Sequence, residues 1–195
     1  MRASRLLSIL LLLQTRGRMT AEALAAEFEV SVRTIYRDID TLPEIHDFDF
    51  IHGHWTVAHR RLKARGVGAD DWDTFLATAN CEPRLGGMVN VEEMDCPERG
   101  WMGMAVRSFD LDAREWSIWW ISDRDGQLGA PVRGRFGTDG CMLEGPDVDN
   151  GRPVIARYIW SDIRPDSARW SQAFSYDDGA SWETNWVMDF ARATA

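Results

Sequence analysis

Lysine is almost missing from this chain: Lys63 is the only one among 22 basic residues, and all the others are arginine. That bias fits a GC-rich coding sequence better than a function. Cysteine is scarce too. Cys81, Cys96 and Cys141 form neither a CxxC pair nor an even set, which argues against a disulfide framework or a structural zinc site and for reduced thiols in the cytoplasm. The apolar run Leu6–Leu13 is only eight residues long, too short to span a bilayer. With Arg2 and Arg5 before it and Ala23-Leu24-Ala25 after it, that run has the outline of a secretory signal. Arg16 and Arg18 follow it at once, however, and suit a helix C-terminus better than a cleavage region. No G-x-S-x-G, H-E-x-x-H, P-loop or Rossmann glycine pattern occurs. An enzyme is therefore not expected, and no cofactor or metal is called for.

Tryptophan is absent from the first 54 residues; all ten lie at or beyond Trp55. Charge divides at nearly the same place. Residues 1–42 carry a net +1 and the remainder −10, for −9 overall. An acidic body repels a polyanion, so any nucleic-acid contact is expected within the N-terminal segment. A length of 195 residues accommodates a small domain, 1–42, joined to a larger one, 43–195.

In the small segment Leu6, Ile9, Leu10 and Leu13 recur at helical spacing, and Gly17 supplies the stop. Thr20 is a good N-cap for a second helix, with Glu22 in its first turn and Leu24, Ala25 and Phe28 as its apolar stripe. Ser31 caps a third, on which Val32, Ile35, Ile39 and Leu42 share a face and which Pro43 ends. Arg33, Thr34, Arg37 and Thr41 point the other way. Arginines one turn apart with hydroxyls between them suit phosphates and guanine edges in a major groove. A solvated amphipathic helix would show the same pattern.

The stretch RLLSILLLLQTRGRMTAEALAAEFEVSVRTIYRDIDTL resembles the helix-turn-helix of DeoR-type bacterial repressors and their WYL-domain relatives. SVRTIYRDIDTL is similar to their recognition helix almost residue for residue. The resemblance implies that Arg33, Thr34, Tyr36 and Arg37 face double-stranded DNA, with Ser31 and Thr20 capping and positioning. In that family a basic β-hairpin wing follows, whereas here the next residues are PEIHDFDFIHGHW. With the wing missing, DNA binding is expected to rely on a homodimer or on docking against the second domain.

Beyond Trp55 short runs rich in Val, Ile, Trp and Phe alternate with Gly, Pro, Asp and Asn. Strands are predicted near 54–63, 73–82, 87–95, 100–109, 114–122, 131–136, 140–144, 153–163, 168–175 and 182–191. About ten strands in series without helices between them predict an antiparallel barrel, and hence an α+β chain. Pro43–Phe50 is the joint, expected to plug one barrel end. The segments FDFIHGHWTVAHRRL and WETNWVMDF resemble uncharacterised bacterial lipocalin-like (calycin) barrels. That resemblance implies a barrel able to hold a small apolar or aromatic ligand.

Trp116 and Trp120 alternate with Trp119, so one of the two faces should line the interior. Trp55, Trp170 and Trp186 complete the candidate lining, with Arg60 and Arg61 supplying cations near the first strand; packed core is the plainer role for any one of these tryptophans. His52 and His54 alternate but lack a companion ligand at metal-site spacing, and His59 stands alone. Ser175–Trp182 fits the S-x-D-x-G-x-S-W hairpin of sialidase propellers and is read as a turn. Acidic pairs such as Glu92-Glu93 are read as solvated surface. Together these features predict a regulator with a sensing or dimerising barrel; the alternative is a lipocalin-like binding protein or enzyme carrying a vestigial helix-turn-helix.

Overall fold

The computed structural model describes residues 2–39 and 44–193. The expected Thr41, Leu42 and Pro43 lie outside them, as does the side chain of Leu10. The chain begins with helices α1 (Arg2–Arg16), α2 (Ala21–Glu27) and α3 (Val32–Ile39). Gly17, at φ 74°, donates to Leu13 O and ends α1. Thr20 accepts from Ala23 N at 3.2 Å and Ser31 from Thr34 N at 3.1 Å, so both expected caps satisfy a helix-start N–H. Ile9, Leu24, Ala25 and Ile35 form the buried centre of the helices, ringed by Leu12, Leu13, Phe28, Val32 and Ile39. Arg5 of α1 donates to the fully buried Asp38 of α3 at 2.7 Å and ties those two helices together.

Ten strands follow: β1 (Gly53–Leu62), β2 (Trp72–Arg84), β3 (Val89–Cys96), β4 (Trp101–Asp110), β5 (Glu115–Ser122), β6 (Val132–Gly137), β7 (Gly140–Asp149), β8 (Arg152–Ser161), β9 (Ser167–Ser175) and β10 (Glu183–Arg192). Each pairs antiparallel with its sequence neighbour, and β1 closes on β10 with Trp55 opposite Arg192 and Arg61 opposite Trp186. The result is a closed up-and-down barrel, so the chain is α+β as expected. The largest departure from the predicted strands is β7, which runs to Asp149 and not to residue 144. Gly145-Pro146 reads as a breaker, but β6 pairs with β7 only as far as Glu144. Beyond that point β7 is paired on the β8 side alone, and a proline whose missing N–H faces no strand is tolerated.

Between α3 and β1 the described residues form two short 3-10 turns, Glu44–His46 and Asp49–Ile51, instead of a hairpin. They plug the barrel. Ile45, Phe48 and Ile51 are buried, and Phe48 sits edge-on to Trp116 and Phe136 at 4.9 Å each. Plug carbonyls accept from the barrel wall: Ile51 O from Trp55 Nε1 at 2.6 Å, Glu44 O from Trp116 Nε1 at 3.2 Å and Phe50 O from Arg192 Nη2 at 2.8 Å. Leu6 of α1 is fully buried and packs with the barrel core, not with the other helices.

Candidate functional site

Two places carry functional side chains. The first is α3. Its helical period buries Ile35 and Asp38 and leaves Arg33, Tyr36 and Arg37 exposed, with Tyr36 at 54%. Thr34 is half-buried, and its hydroxyl lies 2.8 Å from Ser31 Oγ, so both hydroxyls stand at the start of the helix. Thr20 lies at the start of α2. The exposed face is the one that the sequence assigned to DNA.

The second place is inside the barrel, at the end away from the plug. Because strands alternate in direction, the 63–71, 97–100, 123–131, 150–151 and 176–182 connections gather at this open end. Here a cavity of about 250 Å³ is walled by rings, among them Trp120, Tyr158, Trp160, Trp170, Trp186 and Phe190. Trp170 and Trp186 stand edge to face, 5.8 Å apart at 86°. Gly103 of β4 makes room for Trp120, since a Cβ there would collide with the indole ring. Of the tryptophans singled out from sequence, Trp120, Trp170 and Trp186 line the cavity. Trp55 and Trp116 are buried at the plugged end, and Trp119 lies on the outward face of β5.

The cavity also holds charge that sequence reasoning missed. Glu92, read as solvated surface, is 3% exposed and accepts from Arg107 Nη2 at 2.9 Å. Arg107 Nη1 donates to Asn90 Oδ1 at 3.2 Å, and the guanidinium lies over the rings of Phe48 (5.3 Å) and Trp160 (5.6 Å). Burial opposes the Arg107 charge most strongly, but Glu92 and Cys81 together outweigh it and push the guanidinium above its ordinary value. The signal was present in β4, where Trp101, Gly103, Ala105 and Phe109 alternate inward and Arg107 occupies the same register. In β3 the cue was inverted, because Val89 and Val91 occupy the outer face while Asn90 and Glu92 point in.

Nearer the mouth Arg65 donates to the buried Asp149 at 2.9 Å, and Tyr176 Oη donates to the same carboxylate at 2.8 Å. Arg61, half-buried, stacks on the Trp186 ring at 4.3 Å; its neighbour Arg60 lies over Trp72 on the outside. Burial pushes the Arg61 guanidinium below its ordinary value, and Arg65 and Arg124 add to that push while Asp149 opposes it. His59 is buried beside this wall, stacked on Phe75 at 4.6 Å, and accepts from Trp186 Nε1 at 3.0 Å. Burial pushes its pKa down to about 4, so it stays neutral and orients the indole. His52 lies 3.7 Å from Asp49, and His54 is exposed on β1. Cys81, Cys96 and Cys141 are free and buried, and burial pushes the Cys81 thiol up to about 12.

The Ser175–Trp182 segment is a tight turn. Asp177 accepts from Ser175 Oγ, Ser181 N and Ser181 Oγ at 2.6–2.8 Å, while Asp178 and Gly179 take positive φ. Trp182 donates to Gly179 O and packs against Arg157 at 3.6 Å. Those hydroxyl and amide donors hold the Asp177 carboxyl down at about 2.

No helix among the described residues is long and apolar enough to cross a membrane. No curated protein matches the chain. Residues 5–48 match a family described as an HTH domain, so the similarity covers all of α2 and α3 and ends at Phe48, inside the barrel plug. That similarity points to a DNA-binding transcription regulator whose C-terminal region is a β-barrel.

Proposed function

We propose that the chain is a one-component cytoplasmic regulator of the DeoR/WYL kind. Residues 1–42 bind double-stranded DNA, and residues 43–195 are a lipocalin-like barrel that senses a small apolar or aromatic molecule. The observation that carries the reading is the outward face of α3, where Arg33, Tyr36 and Arg37 stand clear of the packed side. Arg33, Thr34, Tyr36 and Arg37 then meet base edges and phosphates in the major groove, and Ser31 and Thr20 hold backbone phosphates at helix starts. A homodimer would place two such helices on an inverted repeat, supplying contacts that a wing provides elsewhere. No catalytic role is assigned to the barrel.

Sensing has a short physical path to the helices. Arg107 lines the cavity and lies over Phe48, which stands nine residues after the end of α3 in the sequence. A ligand that displaces Arg107 would shift the plug, and with it the base on which Leu6 and α1 rest. To act as an effector it must bind the DNA-competent and DNA-free states with different affinity.

Genome-wide DNA pull-down with the full chain tests the DNA assignment. Discrete sites containing an inverted repeat are expected, with Arg33→Ala or Arg37→Ala each weakening operator binding by about 1–3 kcal/mol where a base edge is lost. Unchanged binding in both folded variants would remove α3 as the reader. A second reading, a lipocalin-like binding protein with a vestigial helical head, is favoured by the 3-10 plug standing where a wing would be. It expects no discrete sites and a barrel that binds ligand all the same.

A further inference from the structure

Ligand sensing by the barrel, proposed above, leaves open what the cavity recognises, and its charges narrow the choice. The region after residue 42 is strongly acidic, so a cation would be the default guest on net charge alone. The cavity is arranged otherwise. Its buried carboxylates are already engaged: Glu92 by Arg107, and Asp149 by Arg65 and Tyr176. Asp147 stands at the exposed rim and accepts from Val148 N at 2.7 Å.

The unengaged polar groups are donors. Arg61 has no hydrogen-bond acceptor or ion-pair partner among the described residues; it lies over Trp186 with Arg65 and Arg124 as neighbouring charges, and the carboxylate that opposes them, Asp149, is engaged by Arg65 and Tyr176. Elsewhere in the cavity lining, Arg107 Nε and Trp160 Nε1 are buried without acceptors among the described residues. A guanidinium partly removed from water, with its nearest carboxylate bonded to other groups, is costly, and a planar carboxylate that meets its fork in two parallel bonds relieves that cost. The walls set the rest of the ligand. Trp120, Trp170 and Trp186 offer ring faces and edges around a space of about 250 Å³, room for one small ring system and not for a long flexible chain.

We infer that the barrel cavity takes a small aromatic carboxylic acid, with its ring among Trp120, Trp170 and Trp186 and its carboxylate on Arg61. Binding is a non-covalent exchange of water for rings and of an unpaired cation for an ion pair.

Calorimetric titration of the full chain with 2-naphthoate, 2-naphthamide and decanoate tests this. Naphthoate should bind one to one and at least ten-fold more tightly than either of the others, naphthamide having the ring without the charge and decanoate the charge without the ring. Arg61→Gln should erase the preference over naphthamide. If that variant fails to fold, Arg61→Lys carries the test, because a point charge in place of the fork should cut the preference several-fold. Naphthamide binding as tightly as naphthoate, or a full preference surviving at Arg61→Gln, would overturn the role of the carboxylate and leave a sensor of neutral rings. Decanoate matching naphthoate would overturn the aromatic part. A cavity that takes up none of the three would remove the inference and the ligand-sensing reading with it, while leaving the DNA assignment of α3 to its own experiment.

Discussion

Both regions of the chain bury a carboxylate against an arginine, and their surroundings differ. In the helical head Asp38 is fully buried, while Arg5 keeps 18% of its side chain exposed beside a small apolar centre around Ile9, Leu24 and Ile35. In the barrel both Arg107 and Glu92 are 3% exposed, and two aromatic rings cover the guanidinium. A charge beside water can recover hydration when its partner is lost, whereas one enclosed by rings cannot. The head therefore depends on many weak local terms and on leaning against the barrel through Leu6. The barrel closes its own hydrogen-bond ladder and fills its plugged end.

Removing one partner of each pair should separate the two regions most sharply. Arg107→Met leaves Glu92 buried alone and should cost about 3–5 kcal/mol of barrel stability. Tryptophan fluorescence in a denaturant series measures it, because every tryptophan lies in the barrel. Arg107→Met with Glu92→Leu should recover most of the loss, since two apolar groups leave no orphan charge. Arg5→Met should lower the helical circular dichroism signal with little effect on the barrel transition. An equal effect of the Arg5 and Arg107 changes on tryptophan fluorescence would mean that head and barrel melt as one unit.

Acid should divide the plug from the barrel wall. His59 is held at about 4 against an ordinary 6.5. Its contribution is intact above about pH 6.5 and is lost as pH falls from there to about 4, amounting to about 3 kcal/mol. Asp47 in the plug behaves oppositely. Burial raises its pKa to about 6, with Glu44 and Asp49 adding to the rise and the nearby Trp116 N–H opposing it. The protonated carboxyl is favoured in the fold, so its contribution is present at low pH and is lost as pH rises through about 6. In the intact protein the two slopes oppose each other between about pH 4 and 6. His59→Gln should leave stability rising on acidification across that window, and Asp47→Asn should leave it falling. Identical pH profiles for both variants and the parent would contradict both assignments.

The smallest expected effect belongs to a helix cap. Ser31→Ala removes the acceptor for Thr34 N and should cost about 1 kcal/mol of helical stability. The barrel melt should not move. A shift of the tryptophan transition would show that α3 contributes to the barrel's stability after all.

The helix caps and strand alternation were legible because they depend on neighbours a few residues away. Thr20 and Ser31 cap where their types and positions predict, and Gly17 ends α1. Nine of the ten strands fall within a few residues of the predicted ranges, since the period-two pattern and the Gly, Asp and Asn turns are local. The miss at β7 came from a non-local fact, the shortness of β6 beside Pro146.

The cavity was legible only in part, and the reason is the same. Alternation along β5 put Trp116 and Trp120 on one face and Trp119 on the other. It could not say that Phe48 and its segment pack against Trp116 at one end while the cavity opens around Trp120. It read Glu92 beside Glu93 as surface because the partner that makes burial tolerable, Arg107, stands on the next strand. Helices, caps, strands and the exposed arginines of α3 follow from the order of residues, since backbone bonding and side-chain period are set within a turn or two. Which face became interior, which end was plugged, which ion pair was buried and which arginine was left without a carboxylate depended on ring closure. Only closure brings residues tens of positions apart into one dry space, where an unpaired charge becomes costly.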